Sequence, residues 1–289
     1  MRHQEYYSSD GYHYYEQRNQ LRLLEKIKGN RPLVHIILLL LTVLTTYIVN
    51  GILYSLSIVS ILLVHEMGHY LMCRKYGISA TLPYFLPVPL PPFGTMGAFI
   101  KIRERIPDKR ALFDVAVAGP LAGLTLTIPI LIIGLKNSNF VLLSELSPEA
   151  TWSLGESFLF SQLSKIILGP VPEGYDIILH PMAYAGWAGL FVTALNLLPI
   201  GQLDGGHVIY AIFGHRSQLI NKFAIIAFII ISAIWYPGWL LLIIFLLWIG
   251  IYHPPSKNDY IPLDSKRVLI GYITIIIFLI SFIPVPFHF

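Results

Sequence analysis

The chain has 289 residues, 55% hydrophobic and only 12% charged, with a mean hydropathy of +0.65. An ordinary soluble domain carries about 25% charged residues, so a soluble globular fold is excluded and the bilayer is the expected solvent. The single cysteine, Cys73, excludes an intrachain disulfide framework and a multi-cysteine metal site, and a net charge of +4 gives no reason to expect a nucleic-acid partner.

Residues 1–32 open with MRHQEYYSSDGYHYYEQRNQ, a polar, Tyr-rich tail without the apolar core of a signal peptide. Crossing about 30 Å of hydrocarbon takes about 20 helical residues. Apolar runs near that length predict spans at 33–49, 52–73, 112–135, 181–200, 219–235, 237–252 and 268–286. The fifth and sixth are short and divided only by Tyr236-Pro237-Gly238, as a tight hairpin or a partly re-entrant pair. The expected fold class is therefore an all-α polytopic membrane protein with six or seven transmembrane helices.

Between the second and third spans lies TLPYFLPVPLPPFGTMGAFIKIRERIPDKR, residues 81–110. Its prolines exclude a regular helix, yet 82–100 is strongly apolar. Backbone without internal hydrogen bonds must be sheltered by protein or lie at the membrane interface. The β-branched and aromatic content near 96–102 predicts a short strand within a re-entrant or interfacial loop.

Cytoplasmic loops carry an excess of Lys and Arg. Arg18, Arg22, Lys26, Lys28 and Arg31 precede the first span, and Arg74, Lys75, Lys101, Arg103, Arg105, Lys109 and Arg110 follow the second. The 136–180 loop is acidic instead, through Glu145, Glu149, Glu156, Glu173 and Asp176. Basic residues return at Arg216, Lys222, Lys257, Lys266 and Arg267. A cytoplasmic N-terminus satisfies all of these loops. It also places His65-Glu66-Met67-Gly68-His69 and the 196–207 segment NLLPIGQLDGGH at one depth, near the cytoplasmic side.

Ionisable groups in hydrocarbon cost about 2.5–3.5 kcal/mol each even on the gentler scales, so these motifs need a partner. On a helix, His65 and His69 share a face one turn apart, a spacing at which two imidazoles bind one divalent ion at about 2.0–2.1 Å. Glu66 projects about 100° around the helix, where it reaches a water on the ion as a general base. Gly68 is expected to leave the helix surface open beside it. The bland alternative is a pair of core histidines satisfied by neighbouring carbonyls.

A catalytic zinc takes three protein ligands. His180 falls on the outer side and His35 has no neighbouring ligand; Glu104 and Asp108 sit in a charged loop, and Asp114 reads as a helix cap. Asp204 remains, in Leu203-Asp204-Gly205-Gly206, where Pro199 breaks the span and the glycines permit a sharp departure after the helix. His207 in its place is an open alternative. Asn196 has two open readings, a helix–helix hydrogen bond or an amide donor to a substrate carbonyl.

HEMGHY together with NLLPIGQLDGG resembles the site-2 protease family of intramembrane zinc metalloproteases. Residues 93–124, FGTMGAFIKIRERIPDKRALFDVAVAGPLAGL, are further similar to its plastid and cyanobacterial-type branch. The resemblance implies one zinc held by His65, His69 and Asp204, with Glu66 activating water and Asn196 assisting at the carbonyl. It also implies that the 94–102 strand, with Gly94, Gly97 and Phe99, pairs with an unwound transmembrane protein substrate in the lipid bilayer. The PDZ insertion and the C-terminal nucleotide-sensing domain of some members are not seen. The resulting organisation is a tail at 1–32, a catalytic core at 33–215 and C-terminal helices at 216–289.

Three rivals lack matching residues or use. A zincin with a glutamate third ligand finds no helical Glu downstream, and a di-iron oxygenase needs several histidine boxes. A non-proteolytic metal transporter or inactive scaffold has no use for Glu66.

Overall fold

A computed structural model describes residues 32–145, 153–249 and 256–288. The polar tail through residue 31, Glu149 and the end of the predicted 237–252 span lie outside the described residues.

Helix α1 (Pro32–Lys75) is broken at Gly51, whose φ of 79° and ψ of 176° are non-helical. Glycine alone adopts this backbone without strain. In a straight helix Val43 and Ser55 would stand about 18 Å apart; instead the Ser55 hydroxyl donates to the Val43 carbonyl at 2.9 Å and meets Thr46 Oγ1 at 2.7 Å. The chain therefore folds back, and α1 is two antiparallel arms matching the first two predicted spans.

Next come β1 (Tyr84–Pro87) and β2 (Thr95–Phe99), an antiparallel pair in the register Tyr84↔Phe99, Phe85↔Ala98 and Pro87↔Thr95. Met96 and Gly97 together oppose Leu86, a bulge in β2. The hairpin lies alongside α1. His35 Nδ1 meets the Pro83 carbonyl at its base, and Gly94 packs on the Thr46 backbone near its tip. Three side chains grip the tip: Asn50 and Tyr184 donate to the Pro92 carbonyl at 2.8 and 3.1 Å, and Tyr54 donates to the Phe93 carbonyl at 3.0 Å.

Helix α2 (Lys109–Lys136) is capped by Asp108, whose carboxylate accepts from the Ala111 amide. This corrects the assignment of a capping role to Asp114, which instead accepts from Arg267 and Tyr76 at 2.6–2.8 Å. The acidic loop then forms β3 (Asn139–Leu142), β4 (Ser153–Leu154), α3 (Phe158–Leu168) and β5 (Tyr175–Ile178), with β3 paired to β5. Helix α4 (Pro181–Asn196) is almost wholly buried and apolar all round, the signature of a central helix. It stacks Trp187 and Phe191 on Phe93.

A turn at 197–203 leads to α5 (Asp204–Phe213), α6 (Ser217–Ile234) and α7 (Trp239–Ile249), with α6 and α7 packed together across Tyr236-Pro237-Gly238. Helix α8 (Ser265–Ser281) follows, and β6 (Phe287–His288) returns to pair with β4. Among the described residues, three helical stretches are long and apolar enough to cross a membrane: Pro32–Lys75, Lys109–Lys136 and Asp204–Ile234. The described residues are mostly helical, as expected, and form three two-stranded sheets where one short strand was expected. Most of their pairings join residues far apart in sequence, and composition does not carry such partners.

Candidate metal centre

The second arm of α1 carries His65, Glu66 and His69, all nearly inaccessible at 3%, 5% and 7% exposure. Asp204, at the first turn of α5, comes to meet them. Its Oδ2 lies 3.5 Å from His65 Nε2 and 3.2 Å from His69 Nε2, and the two Nε2 atoms are 3.2 Å apart. A tetrahedral ion with ligands at 2.0–2.1 Å has ligand–ligand edges of about 3.3–3.4 Å. The three atoms thus already sit at the spacing of one face of such a site.

The chemistry of the donor set agrees. His69 Nδ1 lies 2.8 Å from the Val115 carbonyl, which can only accept, so Nδ1 carries a proton, the arrangement that leaves Nε2 as the ligand atom when a metal is bound. Two imidazole nitrogens and a carboxylate oxygen at these distances form a donor set that fits one divalent cation. Among the described residues this is the group of three or more His, Cys, Asp or Glu side chains arranged to hold a metal ion; His207 is not in it. His207 instead lines the adjoining cavity.

Glycines build the surroundings, in ways the sequence reading did not foresee. A Cβ on Gly119 of α2 would stand 2.0 Å from His69 Nε2, so the ring occupies the space a side chain would take. Gly68 does not open the surface as expected; its missing Cβ lets the Ala118 carbonyl of α2 approach, at 2.4 Å from where that atom would be. Gly205 and Gly206 likewise lie inside α5 and allow the Leu197 and Gly201 carbonyls to pack on it. The sharp departure comes earlier, in the turn containing Gly201, whose φ is +56°. The small residues of Ala118-Gly119-Pro120 were the available signal for this close approach.

The cluster opens on a cavity of about 230 Å³ walled by Glu66, Ala98, Phe99, Ile100, Asn196 and Gln202, among others. Ile100, just past β2, lines this cavity together with Glu66. Asn196, the last residue of α4, places its side-chain amide 3.2 Å from His65 Nε2. Of the three predicted substrate contacts, Phe99 lines this cavity, Gly97 sits in the β2 bulge beside a second cavity, and Gly94 lines neither. The floor near Ile106 is braced from below: Lys257 and Asn258 amides donate to the Ile106 and Pro107 carbonyls. Asp259 joins this brace to α5. Burial alone would raise its carboxyl, but hydrogen bonds from Ser256 and Tyr210, with Lys109 nearby, outweigh that and hold it below the usual range.

Residues 53–236, which include all five of His65, Glu66, His69, Asn196 and Asp204, match Peptidase family M50. The chain is 33% identical over 233 residues to the "Probable zinc metalloprotease EGY2, chloroplastic" of Arabidopsis thaliana, covering 78% of this chain and 40% of that protein. It is 34% identical over 245 residues to the protein of the same description from Oryza sativa subsp. indica, covering 83% and 44%. To the "Probable zinc metalloprotease EGY1, chloroplastic" of Oryza sativa subsp. japonica it is 35% identical over 160 residues, covering 55% and 27%. The chain spans about two fifths of the length of the EGY2 relatives. On the extent of these matches, the chain belongs to peptidase family M50, the site-2 protease family.

Proposed function

We propose that the chain is an intramembrane zinc metalloprotease that cuts peptide bonds within or near the transmembrane segments of membrane-anchored proteins. The observation that carries this reading is the convergence of His65 Nε2, His69 Nε2 and Asp204 Oδ2 within 3.2–3.5 Å beside a buried Glu66. Those three residues would hold the zinc named in the descriptions of the relatives. When bound, zinc polarises a carbonyl and lowers the pKa of a water toward about 7. Its charge also balances the carboxylates of Asp204 and Glu66.

Glu66 takes the proton of the attacking water and returns it to the leaving amine. Asn196 donates to the substrate carbonyl oxygen as negative charge develops there. A transmembrane helix is satisfied in its own hydrogen bonds, so it must unwind before attack, and its freed backbone needs new partners. The free edge of β2, in the 94–102 segment, supplies them as an added strand.

We read seven crossings, by the two arms of α1 and by α2, α4, α6, α7 and α8, with a cytoplasmic N-terminus and the site near the cytoplasmic side. The β1–β2 hairpin is then re-entrant from that side. Two long-range pairings support this arrangement. The start of the α8 region bridges to Asp108 beside the basic loop, and β6 after α8 pairs with β4 in the acidic loop, so α8 joins opposite faces.

The purified protein, incubated with a single-span test peptide with and without a zinc chelator, tests the reading. Cleavage should be chelator-sensitive. Glu66→Gln should retain zinc by elemental analysis and lose about 10²–10⁴-fold in rate. Cleavage by that variant at the wild-type rate would remove the base assignment, and no cleavage by the wild type would favour a transporter or scaffold.

A further inference from the structure

A second cavity, about 670 Å³ and lined almost wholly by apolar groups, adjoins the metal centre on the Gly51 side. Its walls include Leu62 of α1, Val192 and Leu195 of α4, Trp239 and Phe245 of α7, and Phe287. We infer that this chamber is a specificity subsite. It takes bulky aliphatic or aromatic side chains of the substrate three to five residues from the scissile bond, on the side away from the basic 101–110 loop. The inference rests on the proteolytic reading above.

Continuity with the site carries it. Asn196 and Leu203 line both cavities, so a chain lying across the metal centre passes from one into the other. The remaining wall is β2 itself, through Thr95, Met96 and Gly97. The strand sets the spacing. Ile100, which lines the metal-centre cavity with His65, Glu66 and His69, marks the position of the chemistry. Thr95–Gly97 lie three to five residues back, about 10–17 Å at about 3.3 Å per residue. A substrate strand paired to β2 therefore presents residues at that same remove to the chamber.

The bulge suits this role. It disrupts regular pairing at Met96 and Gly97 and re-aims the strand. At Gly97 a Cβ would meet nothing within 4 Å, which leaves that stretch of wall open. The direction of the hairpin fixes which flank of the substrate is involved. Its tip is clamped near the Gly51 turn by Asn50, Tyr54 and Tyr184, while its far end lines the cavity of Glu66 and then leads to the basic loop. Lipid already solvates apolar side chains, so the chamber selects by fit and by excluding polar groups rather than by transfer out of water.

The test uses full-length protein with zinc in lipid vesicles and a set of Leu/Ala-rich single-span peptides carrying one central Gly-Asn break. One series places Phe, Ala or Asn three to five residues from the cut on the outer flank, and a second places them on the cytoplasmic flank. On the outer flank, Phe should exceed Ala by about 10-fold in kcat/KM and Asn should fall below Ala; the cytoplasmic series should be flat by comparison. Val192→Trp, which fills the chamber, should lower the Phe-to-Ala ratio about 10-fold; bound zinc and gel-filtration behaviour report its folding. Equal cleavage of all three outer-flank peptides, or an unchanged ratio in the folded Val192→Trp protein, would overturn the subsite and leave the protease reading intact. Cleavage of no peptide would instead remove the protease reading.

Discussion

Two groups of helices in this chain meet the same solvent under opposite rules. The second arm of α1 with α2 and α4 keeps histidines, a glutamate and several hydroxyls out of lipid, and it does so through backbone-close contacts at small residues. Helices α6, α7 and α8 turn broad apolar faces outward; Ile230, Leu241, Ile244 and Leu279 are more than half exposed. In the first group each side chain is defined by an atom that it touches. In the second, most positions ask only for an apolar group, because lipid is as apolar as leucine. Tolerance to substitution should therefore fall steeply toward α1 and α2.

The sharpest way to break the contrast is Gly119→Ala. One added methyl would occupy the place of the His69 ring, so bound zinc should drop to trace levels and proteolysis vanish while helicity stays native. Full zinc occupancy in that variant would mean that the ring has another home and that close packing is not what holds it.

A smaller effect is expected at the hairpin tip. Tyr54→Phe combined with Tyr184→Phe removes two hydrogen bonds to the Pro92 and Phe93 carbonyls, each with a net contribution of about 1 kcal/mol. The edge strand loosens while the ligands stay in place, so KM for a transmembrane peptide should rise about 5–30-fold with zinc content unchanged. A fall in zinc content instead would show that the tyrosines support the metal cluster directly. The smallest effect belongs to the outer group: Ile244→Ala, at a position 63% exposed, should change activity and thermal midpoint by less than the scatter of replicate measurements. A loss comparable with that of the tyrosine pair would erase the distinction between the two groups.

What the sequence disclosed follows the same division. His65, Glu66 and His69 were readable because their spacing is local and helical. Asp204 was found by sorting the remaining acidic groups by depth, since charge in hydrocarbon has few tolerable locations. The crossings near 33–73 and 112–135 were visible as apolar runs, and Gly51 at their break as a glycine between two of them. What stayed hidden depends on contact. Gly119, the Val115 carbonyl and the Asp114–Arg267 pair matter because of what lies opposite, 46 to 153 residues away in sequence for the two hydrogen-bonded cases. Strand β1 was masked by its prolines and needed β2 as a partner to exist.

The acceptor for the His69 ring proton is main chain, so no side-chain replacement can delete it. It moves only if α2 moves. Sliding α2 past α1 by a single turn would carry that oxygen about 5.4 Å along the axis and leave the imidazole without its anchor. With zinc held as proposed, ion affinity would be a ruler of helix register, and a force that shears these two helices would be felt first at the metal.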